Sequence, residues 1–283
     1  MLGGLARRVS FVEKTKREGG PVMVVDSGQI FTNAGIVADK KLSLTKAQLI
    51  SRAYRHMGVA AINIGDSDLM QGIAFLREES SRGLPLISAN LLDPSNKTPL
   101  FSPYVIKKAG GIRIAYFGLL SPDINTAIRQ MAGEKFLVQD PVETARHVIR
   151  NLYNKADIII LLSNLDVKRE QAVIRAVSGI HFVFGGHDGR YLSSPLWEGQ
   201  TPVLESYRKG MYAGTLHLTF VKRSSPFKDE RTHSTTTMAN GNRFLWTLSP
   251  LDSSLKEDRD VTLWIRKAGI EKDLDTKNYQ IHY

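Results

Sequence analysis

Short, largely apolar runs alternate with amphipathic segments along this chain, and this alternation constrains its fold more than any other feature. The runs at 22–25, 59–64 and 158–162 are rich in valine and isoleucine and contain no charged residue. Runs of this length and composition are typical of strands buried on both faces of a sheet. Apolar residues at helical spacing lie between them, for example over 45–57. The pattern therefore predicts an α/β domain with largely parallel strands.

Composition excludes several classes of protein. The chain has 283 residues, a formal net charge of +10 and no cysteine. A 42% apolar content is that of a folded protein rather than a disordered one. The lack of cysteine excludes a disulfide scaffold, a thiolate nucleophile and a cysteine-based zinc cluster within this sequence. The length fits one large α/β domain with or without an extension.

The basic residues are scattered rather than grouped. Pairs such as Lys40-Lys41 and Lys107-Lys108 stand apart from one another, and no stripe of them alternates with aromatic residues. A groove for nucleic acid needs such a stripe, so we do not expect a nucleic-acid partner. An excess of positive charge still favours acidic partners through its long-range field.

Two patterns bear on the membrane and on export. No apolar run approaches the roughly 18 residues that a membrane-spanning helix needs, so no membrane span is expected. The first eight residues lack the signal-peptide order of positive charge followed by an apolar stretch. The sequence itself therefore predicts no signal peptide in this chain and leaves the compartment open.

The composition of the sequence changes after residue 221. Serine- and threonine-rich stretches at 224–226 and 234–237 are typical of loops, whereas Trp246 and Trp264 predict buried anchors. We therefore expect a domain over 1–221 and an extension over 222–283 that packs on the domain or on a partner.

Polar side chains follow four of the predicted strands. In parallel sheets the carboxyl ends of the strands lie at one edge, where ligands bind. The same residue types also cap helices and form turns, so a purely structural role stays open, and Asp68 and Asp166 in particular are expected to be solvated or to cap helices. The four groups are Asp26 with Gln29, Asp66 with Asp68, Asn164 with Asp166, and His187 with Asp188.

The order of segments from 3 to 220 resembles the 5'-nucleotidase family of the calcineurin-like metallophosphoesterase superfamily. The resemblance implies an α/β layered sandwich of two mixed β-sheets flanked by helices, with the family's opening strand missing. It also implies two adjacent divalent cations that activate water and bind phosphate, with a His-Asp pair assisting the leaving group. The matching segments are 3–7, 24–31, 56–68, 84–90, 111–122, 156–164, 185–189 and 201–216.

The positions that match the family's functional residues carry other side chains almost throughout. The bridging carboxylate corresponds to Gln29, the ligand Asn to Asp66, the catalytic His to Ser67, its Asp partner to Met70, the ligand His to Asn164, and the final His-x-His to His187 and Gly189.

The resemblance therefore implies a degenerate member of the family. No catalytic residue can be assigned with these substitutions. The remaining donors would form at most one weak, oxygen-rich site for a divalent cation, made of Gln29, Asp66, Asn164 and His187, because only one of them is charged. Asp26, Asp68, Asp166 and Asp188 would be its polar neighbours. We accordingly expect a non-catalytic domain, a pseudoenzyme that serves binding or assembly.

Two alternatives remain open. The first is an active metal-dependent phosphoester hydrolase, acting for example on nucleotides, with a site rebuilt from the retained carboxylates and His187. As the second alternative, the chain fits an accessory module of a larger exported assembly, including a redox assembly, since relatives are often exported. A missing opening strand would leave a sheet edge that proteins usually cover. We expect a protein partner, a neighbouring domain or the extension to cover it.

Overall fold

The computed structural model describes residues 2–31, 40–223, 225–232 and 241–270. The predicted loop at 234–237 lies outside these ranges. The helices of the described residues are α1 (Leu5–Arg17), α2 (Lys40–His56), α3 (Ile73–Ser81), α4 (Thr126–Met131), α5 (Pro141–Leu152), α6 (Val167–Ala176) and α7 (Arg259–Lys267), with a 3₁₀-helix at Ser67–Gln71. None of these helices is both long and apolar enough to cross a bilayer.

The strands are numbered in chain order. They are β1 (Val25–Asp26), β2 (Ala61–Asn63), β3 (Leu86–Ile87), β4 (Leu91–Leu92), β5 (Tyr104–Ala109), β6 (Ile112–Leu120), β7 (Leu137–Val138), β8 (Ile158–Asn164), β9 (Phe182–Gly185), β10 (Leu196–Glu198), β11 (Thr201–Leu204), β12 (Tyr212–Thr219), β13 (Phe227–Asp229) and β14 (Asn242–Pro250).

A six-stranded mixed sheet lies at the centre of the molecule, in the order β10-β11-β9-β8-β6-β5. Its four inner strands are parallel, and β5 and β10 pair antiparallel at the two edges. Strand β8 is buried along its whole length, as its uninterrupted apolar run predicts. Strands β5 and β6 form a hairpin that turns at Gly110 and Gly111, both with positive φ.

The second layer consists of two three-stranded sheets that share one core with the central sheet. The first, β1-β2-β3, is parallel; the second, β12-β14-β13, is mixed, and β4 and β7 form a separate two-stranded ladder. Val25 and Ala61 from the first sheet and Leu216 and Trp246 from the second pack in the same cluster as Ile160 of the central sheet. The structure is thus a layered α/β sandwich, as the sequence predicts.

Helices cover the outer faces of both layers. Ala145 and Val148 of α5 and Val173 of α6 pack on the central sheet, in a cluster with Phe117 of β6. Helix α5 has a capped start, because Asp140 accepts a hydrogen bond from the N–H of Glu143 and proline occupies the first turn. Helices α1, α2, α3 and α7 contribute to the cluster around β1-β2-β3.

The described part of the extension lies on the domain. Strand β14 pairs with β12 over its whole length, and the indole N–H of Trp246 donates to the carbonyl of Leu192 at 2.7 Å. Helix α7 packs beside α1 and α2, where the guanidinium of Arg52 lies 3.8 Å from the centre of the Trp264 ring. Both tryptophans are therefore packing anchors, as expected. We propose on this basis that the described residues 225–232 and 241–270 complete the domain rather than form an independent unit.

We expect Trp246→Ala to lower the free energy of unfolding by about 3–5 kcal/mol, because the side chain is only 4% exposed and fills the core between the layers. Trp197→Ala is the matched control: this ring is 39% exposed, so its loss should cost about 1 kcal/mol or less. Urea denaturation measures both changes. Equal losses for the two variants would contradict the proposal that the extension completes the core.

Candidate functional site

The loops that follow β1 and β2 approach each other backbone to backbone. Gly28 has a φ of 107°, and a Cβ atom at this position would lie 2.8 Å from the amide nitrogen of Gly65. A Cβ on Gly65 would in turn lie 2.7 Å from the amide nitrogen of Gln29. Real Cβ atoms do not come this close to backbone, so only glycine fits at either position.

Asp68 fixes this approach from inside. Its carboxylate accepts hydrogen bonds from the backbone N–H groups of Gln29 (2.7 Å), Phe31 (2.9 Å) and Gly65 (2.9 Å). The residue is 1% exposed, so the expectation that it is solvated or capping was wrong. The 3₁₀-helix after β2 turns its side chain inward, which strand-end spacing in the sequence does not reveal.

Burial sets the protonation of Asp68. Loss of solvation raises its pKa from the ordinary value to about 7, and the three N–H donors oppose a larger rise because they favour the charged form. Asp26 lies near it and raises the pKa further. The buried side chain therefore exchanges its proton close to neutral pH.

Three of the predicted site residues form one chain of hydrogen bonds. The side-chain amide of Gln29 donates to Oδ1 of Asp66 at 2.8 Å. The backbone N–H of Asp66 donates to Oδ1 of Asn164 at 3.0 Å. Gln29 adopts a φ of 63°, which is uncommon for a residue other than glycine and directs its side chain toward Asp66.

Asn164 is held in one orientation by this chain. Because its Oδ1 accepts from Asp66, the amide nitrogen Nδ2 is the atom left over, and within the described residues it is buried without a hydrogen-bond partner. Asn164 itself is completely buried. Its unsatisfied atom is therefore a donor, which suits an oxygen atom and not a cation.

His187 and Asp188 lie in the adjacent loop after β9. Their side chains pair with each other at 2.9 Å, and Asp188 also accepts from the N–H of Val167 at 3.2 Å. Gly186 brings this loop against Ser27, whose hydroxyl donates to the carbonyl of Phe184 at 2.8 Å. His187 is thus a hydrogen-bonded turn residue beside the β1 loop.

The remaining predicted neighbours have structural partners. Asp166 caps α6 through the N–H of Arg169 and forms an ion pair with the Arg169 guanidinium. These contacts outweigh the effect of partial burial and lower its pKa, so its predicted capping role is confirmed. Asp26 accepts from the Tyr54 hydroxyl (2.7 Å) and from the N–H of Gly28 (3.0 Å), beside the Arg8 guanidinium. Burial raises the pKa of Asp26, although Arg8 and Tyr54 oppose the rise.

A buried cluster of charges behind the β9 loop is missing from the sequence prediction. Arg190 donates to Glu170 at 2.8 Å and to Glu205 at 2.7 Å, and the backbone N–H of Arg190 donates to Glu205 at 2.8 Å. Both carboxylates are almost fully buried, and burial raises the pKa of Glu170 to about 7. Because these partners are 15 to 35 positions apart in the sequence, no local spacing indicates them.

Comparison with known proteins gives relatives of one kind. No family model matches the sequence. Over 95% of its length the chain is 24% identical to a snake venom 5'-nucleotidase of Gloydius brevicauda, and over 75% of its length it is 27% identical to the uncharacterized metallophosphoesterase YunD of Bacillus subtilis. The chain covers 46% of each of these proteins.

Solved structures agree on the fold. A sulfate thiohydrolase SoxB structure from Thermus thermophilus superposes on 96% of this chain and 48% of its own, with a TM-score of 0.79 and 18% identity. The chain is thus similar in sequence to 5'-nucleotidases and metallophosphoesterases, and it shares their fold. It spans less than half the length of the relatives described here, so the activity of the whole proteins does not transfer to it directly.

The donor set does not fit the family's pair of divalent cations. Gln29 replaces a carboxylate with an amide that donates to Asp66, and Asn164 offers a donor where a ligand would offer a lone pair. Within the ranges that the structure describes, no group of three or more His, Asp or Glu side chains could hold a metal ion. We therefore derive no catalytic step through a metal at this place.

The titration of Asp68 generates a pH prediction. Since its pKa is near 7 in the folded protein and ordinary when unfolded, the folded state binds the extra proton between about pH 4 and 7. Stability contributed by Asp68 is complete at low pH and is lost as the pH rises through this window. Asp68→Asn should therefore reduce the pH slope of the unfolding free energy by about 1.4 kcal/mol per pH unit.

Urea denaturation at several pH values measures this slope. Asp188→Asn is the control, because it removes a carboxylate that is about a third exposed from the adjacent loop. Glu170 titrates over the same range and its contribution should persist in Asp68→Asn. An unchanged slope in Asp68→Asn would show that its carboxylate stays charged when buried.

Proposed function

We propose that this domain is a non-catalytic member of its family, a pseudoenzyme that serves binding or assembly. The observation that supports this most directly is the 2.8 Å hydrogen bond from the Gln29 amide to Asp66. Gln29 matches the position of the family's bridging carboxylate, and Asp66 matches that of a metal ligand. A hydrogen bond between them leaves a neutral donor where the family's chemistry needs negative charge.

The position of the catalytic histidine supports the same proposal. Ser67 occupies it, and the N–H of Ser67 donates to Oδ1 of Asp66 at 2.7 Å. A serine hydroxyl cannot exchange a proton near neutral pH as an imidazole does. General acid catalysis contributes about 10²–10⁴-fold to rate, so its loss removes at least that factor.

The alternative of a rebuilt hydrolase would need carboxylates that face an open site. Asp26 is engaged by Tyr54 and Arg8, Asp68 by three backbone N–H groups, and Asp166 by its helix and Arg169. These contacts give each of the three carboxylates a structural role. This engagement favours the non-catalytic proposal over a site made of Asp26, Asp66, Asp68, Asp166 and His187.

An assembly role is favoured by the edges of the second layer. Among the described residues, β1 pairs only with β2 and β12 pairs only with β14. Val25 and Leu216, one on each of these edge strands, are half-buried on a shared core. We propose that an extended segment of a protein partner or neighbouring domain covers these edges, within an exported assembly that could include redox proteins. The venom origin of one relative supports export.

Enzyme assays test the proposal. We expect the purified protein with added Mn²⁺ to hydrolyse none of three substrates: 5'-AMP, a cyclic nucleotide and bis(p-nitrophenyl) phosphate. We also expect calorimetry to show no Mn²⁺ binding at millimolar concentration. Turnover that persists through purification and is lost in Asp66→Ala would overturn it. Detection of one weak Mn²⁺ ion without turnover would retain the pseudoenzyme proposal and restore the predicted cation site.

A variant designed to gain Mn²⁺ binding tests whether Gln29 is what excludes the cation. Gln29→Asp places a second carboxylate beside Asp66, and we expect this variant to bind Mn²⁺ and to unfold at a higher temperature when Mn²⁺ is added. Gln139→Asp makes the same substitution at an exposed position and should show neither effect. Identical responses of the two variants would show that Gln29 is not what excludes the cation.

A further inference from the structure

A cavity lies at the opposite end of the central sheet from the site described above. Its volume is about 480 Å³, within the range of small-molecule sites. It is formed by the carboxyl end of α6, the residues just before β9, the turn between β10 and β11, and the segment between β12 and β13. His181, Arg223 and Phe227 lie in its wall.

Arg223 supplies a charge that the protein does not neutralise. Within the described ranges its guanidinium forms no ion pair or hydrogen bond, and it lies 5.0 Å from the centre of the Tyr153 ring. Its charge lowers the pKa of both His181 and Asp157. Asp157 is nevertheless occupied, because Arg113 binds its two oxygens at 2.7 and 3.1 Å.

His181 presents a fixed donor in the same wall. Its Nδ1 accepts a hydrogen bond from the backbone N–H of Ile159 at 3.0 Å. In the neutral ring the proton must therefore be on Nε2, which acts as a donor. Burial and the charge of Arg223 lower the pKa of His181, so the neutral form prevails at neutral pH.

The other charges at the cavity balance. Glu198 is paired with Arg175 at 2.7 Å. The carboxyl end of α6 contributes a partial negative charge of about half a unit, which opposes an anion but is smaller than the full charge of Arg223. Val177 and Phe227 provide buried apolar surface beside these groups. The cavity therefore combines one net positive charge, one N–H donor and an apolar wall.

We propose that this cavity binds a small organic anion, a carboxylate attached to an apolar ring or chain, with the carboxylate on the guanidinium of Arg223 and the apolar part against Phe227 and Val177. A planar guanidinium binds a carboxylate through two parallel hydrogen bonds, which suits this ligand class better than an isolated halide. The site lies apart from Gln29 and Asp66 and does not depend on the proposed function.

Binding of benzoate to the full chain tests this proposal, with benzamide as the neutral ligand of the same shape. Ligand-observed NMR and calorimetry should detect saturable binding of benzoate in the millimolar range or tighter and at least about tenfold weaker binding of benzamide. Arg223→Gln should weaken benzoate binding about tenfold or more. Ser178→Trp, at an exposed position in the cavity wall, should block binding without removing charge.

Arg208→Gln is the matched control. Arg208 also lies over a tyrosine, 5.2 Å from the centre of the Tyr207 ring, but it is far from the cavity in the loop before β12. It should leave benzoate binding unchanged. Absence of saturable binding, equal binding of benzamide, or equal losses in Arg208→Gln and Arg223→Gln would each overturn the proposal.

Discussion

The close approach of two backbone loops, held by one buried carboxylate, is the constraint on which the rest of the site depends. Gly28 and Gly65 leave no room for a Cβ atom, and Asp68 accepts three N–H groups from the loops that meet there. These groups would otherwise be buried donors without acceptors, each costing about 1–3 kcal/mol. The ends of β1 and β2 are therefore positioned by backbone contacts that require no bound ion.

Under the proposed function, this independence explains how the scaffold persists without the family's metal-binding side chains. A site held together only by cations would leave its carboxylates to repel one another when the ligands were lost. Here the amide of Gln29 supplies the donor that Asp66 needs, and Asn164 accepts the N–H of Asp66. A chain of hydrogen bonds thus joins these three residues and leaves one unsatisfied donor on Asn164.

The sequence predicted the parts of this structure that depend on local patterns. Apolar runs predicted the buried strands, the position of Asp166 predicted a helix cap, and the order of segments predicted the resemblance that the relatives support. It could not predict the inward turn of Asp68, because a polar residue after a strand has the same spacing whether it faces water or the core. The Glu170–Arg190–Glu205 cluster was also missed, since only the parallel packing of β9 and β11 and the position of α6 bring it together.

Two buried carboxylates, Asp68 and Glu170, show which charged side chains the fold requires. Burial is the main cause that raises the pKa of both Asp68 and Glu170 to about 7; three backbone N–H groups donate to Asp68, and Arg190 donates to Glu170. Such groups stabilise a fold only when their partners are complete, so they cannot be replaced one at a time. Under the proposed function, the positions that match the family's metal ligands carry no such requirement, because a hydrogen bond can replace the ion there. Side chains that support the loops are then constrained by packing, whereas side chains at the ligand positions are free to change.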